Sequence, residues 1–348
     1  MTVARSQLVD PAVTRWYHCI TRCVRRAFLL GEGEGQKSRK QWIEHRLQEL
    51  ANIFAISVGG FSALDNHLHV LLRLDPEVAN GWSGEEVVRR WGGLFPPRDK
   101  SRQTLPVSHD WVQSRLKDAE WVAKTRGRLQ SLSWFMKSLK EPLSRLANRQ
   151  DKVRGAFFEE RFKSVGVLDE ESLLATCAYI DLNPVAAGIV EVPEESPHTS
   201  VTTRVDHVKA QGRVDDLKAA EAGSVAGSTA SAGLEETIWL CPVEDRRKLD
   251  SSREGMVEGL SLGSYLLLVD YTGRLFREGK STISAELAGI LARLGTSVEG
   301  WQARLEKLKG GRVLGRFLPG SREHVLSLER KATERPPRCS IEVQLRLR

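Results

Sequence analysis

Two histidines two residues apart, His67 and His69, interrupt a run of valine and leucine in DNHLHVLLRL (65–74). In an extended chain, side chains two apart leave the same side of the sheet, so this spacing presents two imidazoles to one point. Two imidazoles begin a divalent-cation site and call for a third donor from another element. The segment DEESLLATCAYIDLNPVAAGIV (169–190) offers one, because Tyr179 and Asn183 are four apart and would share a helix face. A helix laid across the histidine strand would bring the Asn183 amide oxygen to the cation and the Tyr179 hydroxyl into the same pocket. Tyrosinate attacks phosphodiesters and forms a covalent phosphotyrosine. A cation beside it polarises the phosphate, and nearby guanidinium and ammonium groups hold the flanking phosphates.

Each part also has a purely structural reading. H-x-H arises by chance, a tyrosine on an amphipathic helix sits at a core edge, and Asn before Pro stops a helix. Among Tyr17, Tyr179, Tyr265 and Tyr271, only Tyr179 combines a helix with a polar ligand one turn away. His18 lies on the first expected strand, where it can neighbour the pair. His45, His109, His198, His207 and His324 stand apart.

The elements that must position these groups follow from periodicity. WYHCITRCV (16–24) is rich in β-branched and aromatic residues and reads as a strand. Residues 39–54 put Trp42, Ile43, Leu47, Leu50 and Ile53 on one helical stripe. AISVGGFSAL (55–64) is a second strand, with Gly59 and Gly60 marking a bulge or close approach, and Asp65-Asn66 turns it into the histidine strand. Residues 75–128, rich in Pro, Gly, charge and tryptophan, read as an inserted helical segment. An amphipathic helix follows at 129–149, a strand at 155–168 and the tyrosine helix at 169–190, ended or kinked by Pro184. The expected plan is a catalytic-type domain over 1–200, a flexible linker over 201–236, richest in Gly, Ala and Ser at 220–236, and a small helical domain over 237–348. Within that last part, 261–280 and 283–295 read as helices and 329–348 as partly disordered.

The chain of 348 residues carries a net charge of +7, which suits a polyanionic partner. Basic residues gather at 21–26, 137–154 and 160–164, each beside apolar or aromatic side chains. Five scattered cysteines with no C-x-x-C argue against disulfides and zinc knuckles and for a reducing cytoplasm. The lack of a long apolar run excludes a membrane-spanning helix on length grounds, and no secretory signal is visible in the first residues.

DNHLHVLLRL, followed in order by SLSWFMKSLKEP, FFEERFKS and AYIDLNPVAAGIV, resembles the HUH single-tyrosine transposases, more narrowly the REP-associated tyrosine transposases, over roughly residues 14–200. The resemblance implies an α+β fold with a central antiparallel sheet, packed helices and a ferredoxin-like core. It implies dependence on Mg²⁺ or Mn²⁺ and cleavage of single-stranded DNA at or near hairpins, with tyrosine left on the 5′-phosphate and a free 3′-OH released. By matching motifs, His67, His69 and Asn183 would hold the metal and Tyr179 would be the nucleophile. Arg22, Arg25, Arg26, Arg161 and Lys163 would hold phosphates, and Trp16, Phe158 or Phe162 would stack on bases. The resemblance leaves a homodimer open. Ala186 stands where the family commonly has Arg, and FFEERF replaces a Trp-containing FWEGRF. Both departures point to weaker DNA contact and keep a second expectation alive, a DNA-binding regulator on the same scaffold that no longer cleaves.

Overall fold

The computed structural model describes residues 9–31, 39–221, 232–249, 253–278, 291 and 296–309. Its frame is a four-stranded antiparallel sheet formed by β1 (Trp16–Arg22), β2 (Ile56–Ala63), β3 (His67–Leu74) and β4 (Lys163–Val167) in the order β2-β3-β1-β4. α1 (Arg39–Ile53) crosses between β1 and β2. The segment between β3 and α6 (Leu132–Gln150) holds α2 (Pro76–Gly81), α3 (Gly84–Leu94), α4 (His109–Leu116) and α5 (Ala119–Leu129), the inserted helices expected there. The architecture is mixed α+β.

Strand alternation divides the molecule. Leu68, Val70, Leu72 and Leu74 of β3 point to a core shared with Ile43, Leu47 and Leu50 of α1 and Phe135, Met136, Leu139 and Leu143 of α6. The other face of β3 carries His67, His69, Leu71 and Arg73. Leu71 joins a second core with α7 (Glu170–Asp181), α9 (Ser200–Ala210) and α11 (Leu262–Glu278), through Leu173, Leu174, Ala178, Val201, Val205 and Tyr265. Trp301 of α12 (Val298–Lys309) is fully buried in the same core and donates from Nε1 to the Thr272 hydroxyl. The two histidines therefore sit on a sheet face that a layer of helices covers.

The Gly59–Gly60 expectation is met by a register shift between Val58 and Gly60. A Cβ on Gly59 would fall 2.6 Å from the Trp16 ring, so the close approach requires glycine.

Three expectations meet a different structure. Residues 155–168 form a strand only over Lys163–Val167. Phe157 and Phe158 are both buried, and consecutive side chains on a regular strand cannot point to one side, so the chain bends there. It is held by the Cys23–Phe158 bridge and by Glu159 donating to the Arg22 carbonyl. Residues 201–221, expected as the start of a linker, lie largely in α9 and α10 (Val214–Glu221); Val201, Val205 and Val208 recur at helical spacing and are buried. Between 237 and 260 none of the described residues is helical. The chain there includes a short parallel pair, β5 (Glu244–Asp245) and β6 (Val257–Glu258), and passes along the outer edge of β2, where the Cys241 amide donates to the Val58 carbonyl. Most of the expected helix at 283–295, most of the Gly/Ala/Ser-rich stretch and the C-terminal tail lie outside the described residues.

Candidate functional site

β1 and β3 pair with Ile20 opposite His69 and Arg22 opposite His67. His18, two residues before Ile20, is a diagonal neighbour of His69 on the same face, within reach of a cross-strand contact. Its Nε2 lies 2.8 Å from His69 Nδ1, with the ring planes 26° apart, which makes a ring-to-ring hydrogen bond. His67 Nδ1 lies 2.6 Å from the Asn66 side-chain oxygen. Both Nδ1 atoms are thus engaged, and Nε2 is the nitrogen of each ring that a ligand, or on His67 the Asn183 side chain, can meet.

α7 lies over this face. Asp169 caps its start, accepting from the Ser172 amide at 2.7 Å, and Glu170 and Glu171 suit the positive end of the helix. Nearly every later residue of α7 is buried, whereas Tyr179 is half-buried at the strand side. The Tyr179 ring meets His69 edge-on at 5.7 Å between centroids and His18 at 6.2 Å. Its hydroxyl has no hydrogen-bond partner among the described residues. α7 ends at Asp181, as expected near Pro184, which opens the separate single turn α8 (Asn183–Ala186). Asn183 hydrogen-bonds the His67 ring, and its Nδ2 donates to the Tyr179 carbonyl at 3.4 Å. The four residues expected to act together, His67, His69, Tyr179 and Asn183, are brought together.

Burial holds all three histidines neutral. It lowers His18 to about 4. It likewise lowers His67 to about 4, with the Arg22 guanidinium adding to the effect and the Asn183 bond opposing it. His69 is held well below its usual value by burial, then by His18, His67 and Arg22. Neutral imidazoles keep the lone pairs that metal ligation needs. Among the described residues no group of three or more His, Cys, Asp and Glu side chains is arranged to hold a metal ion; the donors that lie together here are the His67 and His69 rings and the Asn183 amide. Two imidazoles and an amide are a neutral donor set that would fit a divalent cation and leave its charge uncompensated. The bonds behind both Nδ1 atoms are the kind of support that ligating histidines have.

What fixes α7 was not evident beforehand. Asp181, fully buried, accepts from Ser200 Oγ at 2.5 Å, from the Val201 amide at 3.0 Å and from the Tyr265 hydroxyl. Burial raises its pKa. One carboxylate two residues beyond Tyr179 thereby pins α7 to α9 and α11. In sequence only its place inside AYIDLNP hinted at a role.

The expected phosphate ligands separate. Arg22 is exposed at the end of β1 beside His67, and Arg25 and Arg26 are exposed on the single 3₁₀ turn that follows. Both occupy left-handed backbone, with φ of 56° and 54°. Their turn is tied to the histidine hairpin by Cys23 N donating to Asn66 O at 2.8 Å and Asn66 Nδ2 donating to Arg26 O at 3.2 Å. Arg161 is exposed, and Lys163 is half-buried on β4 with Glu160 3.9 Å away. Phe158 and Phe162 are buried, and Phe158 lies edge-on to Phe157 under the Lys140 ammonium, so neither offers an open face to a base. Trp16 is half-buried, with Arg73 over its ring.

Together these elements define an α+β protein whose antiparallel sheet carries an imidazole pair faced by a tyrosine-bearing helix. No family model matches the chain, and no curated protein does. A solved structure described as "the REP associates tyrosine transposase bound to a REP hairpin" aligns with 55% of this chain and 78% of that one, at 14% identity and a TM-score of 0.32.

Proposed function

We propose that the protein is a metal-dependent enzyme that cleaves and rejoins single-stranded or hairpin DNA through a covalent 5′-phosphotyrosine. One observation carries the reading: the tyrosine ring closes over a histidine pair whose Nδ1 atoms are both held from behind. The sequence resemblance to REP-associated tyrosine transposases points the same way. In the proposed step Tyr179 Oη attacks phosphorus, the Oη–P bond forms, the P–O3′ bond breaks, and the phenolic proton balances the charge of the departing 3′-oxygen. His67, His69 and Asn183 would hold Mg²⁺ or Mn²⁺, which supplies Lewis-acid polarisation of the phosphate. Arg22 would hold a phosphate next to the scissile one, since it is exposed beside His67.

The test mixes the protein with end-labelled hairpin oligonucleotides and Mn²⁺ and resolves the products on a denaturing gel, with Tyr179→Phe and a chelator as controls. The reading expects a protein–DNA adduct that both controls abolish. Retarded complexes without an adduct on any hairpin would replace it with a binding-only role.

A further inference from the structure

The segment that follows β1 carries a side chain that none of the roles above uses. Phe28 is 75% exposed, the most exposed of the large apolar side chains recorded among the described residues. A single exposed phenyl is ordinary. Its setting is what singles it out. It lies two residues beyond Arg26, and none of Arg22, Arg25 and Arg26 has an ion-pair partner among the described residues. The acidic residue of the neighbouring hairpin turn, Asp65, is already paired with Lys40 at 2.7 Å. A phenyl is thus presented in a run of unneutralised guanidinium groups.

The backbone under it is fixed on both sides. Ala27 N donates to Val24 O at 3.1 Å, Gly31 N to Phe28 O at 3.2 Å, and Leu30 N to Asp65 O at 2.7 Å. Leu30 is fully buried, and Arg39 donates to the Leu29 carbonyl at 2.6 Å. The ring is therefore held outward by a segment anchored to the same hairpin turn that leads into His67. An aromatic face among cations, on a preorganised support, matches the requirements of a single-stranded nucleic acid: a base to stack and phosphates to pair.

We infer that Phe28 is a stacking platform for an unpaired nucleobase of a single-stranded nucleic acid, with Arg25 and Arg26 holding the phosphates on either side of it. The inference rests on the proposed function for the identity of the strand and extends it by naming which base-contacting side chain is used. Charge decides against a protein partner, since the surrounding arginines would have to be buried against matching carboxylates.

The experiment titrates the full-length protein in EDTA, without metal, into a hairpin oligonucleotide with a short single-stranded flank carrying 2-aminopurine. The arms are wild type, Phe28→Ser, Phe28→Trp and Arg25→Gln/Arg26→Gln. The inference expects quenching of 2-aminopurine on binding, affinity about 5- to 100-fold weaker for Phe28→Ser, and recovery by Phe28→Trp. It expects Phe28→Ser to leave the slope of log affinity against log salt unchanged, while the double arginine variant makes it shallower by about 1 to 2. Equal affinity of wild type and Phe28→Ser overturns the inference, as does a change of salt slope in Phe28→Ser alone. Sedimentation that shows wild-type dimers dissociated by Phe28→Ser would assign the ring to self-association instead. The Tyr179 adduct is read separately on the same oligonucleotide. An adduct in both wild type and Phe28→Ser, with unchanged affinity, sinks only the stacking role, whereas quenching without any adduct sinks only the cleavage reading.

Discussion

His18 offers a quantitative test of how dry the histidine site is. Its ring is 4% exposed, and burial lowers its pKa from 6.5 to about 4 in the folded protein. Between those values the unfolded chain binds the proton and the folded chain does not. Stability from this group is therefore complete above pH 6.5 and is lost as pH falls toward 4. Proton linkage gives a loss of about 2 kcal/mol at pH 5 and about 3 kcal/mol once both pKa values are passed. The groups facing His18 that share the field are His69, hydrogen-bonded to it, and the Tyr179 ring. The assay is urea unfolding at pH 7.5 and pH 5 in EDTA at constant ionic strength, on wild type and His18→Gln. A glutamine can still offer a hydrogen-bonding group to His69 but does not titrate. The loss on acidification should be smaller in the variant by about 2 kcal/mol, and carboxylates that titrate in both proteins cancel in the difference. If the two proteins lose the same stability within about 0.5 kcal/mol, the site is hydrated enough to tolerate an imidazolium, and the account of His18 and His69 as permanently neutral fails.

Three further outcomes follow from the packing. Arg204 is 1% exposed, pairs with Glu235, and donates to the carbonyls of Gly59 and Cys241 at 2.9 and 2.8 Å. Arg204→Met should cost about 3–5 kcal/mol in chemical denaturation because it strands a buried carboxylate, and adding Glu235→Gln should recover part of it. Gly59→Ala should cost about 1–3 kcal/mol through the clash with Trp16, and Trp16→Leu in the same chain should reduce that cost. Asn66→Ala removes the acceptor behind His67 Nδ1; Mn²⁺ affinity followed by electron paramagnetic resonance should fall about 10- to 100-fold with unfolding nearly unchanged.

Which parts of this were legible in the chain depends on the range of the interactions. The β1, β2 and β3 strands, the stripe on α1 and the H-x-H pair are local patterns, and each appears where periodicity put it. Tyr179 and Asn183 were legible as a pair because helical spacing is also local. The dependence of the site on His18 was visible only as a neighbouring strand, since the register that sets Ile20 against His69 is a long-range choice. Asp181 could not be singled out, because its partners lie 19 to 84 residues away in α9 and α11. Residues 201–221 were misread for another reason: the valines of α9 recur at helical spacing, but threonine, aspartate and lysine between them lowered the contrast. Phe158 went wrong differently: it was expected to take the aromatic role of the tryptophan that the motif resemblance places there, but the ring is buried under the Lys140 ammonium.

α7 is gripped on both sides, by β2 and β3 below and by α11 and α12 above, with Asp181 bolted across its end. In a covalent phosphotyrosine the DNA strand would become an extension of this helix. Tension or torque along the strand would then enter the protein at Tyr179 and be borne by the whole second core rather than by a loop. On the proposed function, a joint of that kind would hold its attachment point close to the imidazoles while the strand is pulled or rotated.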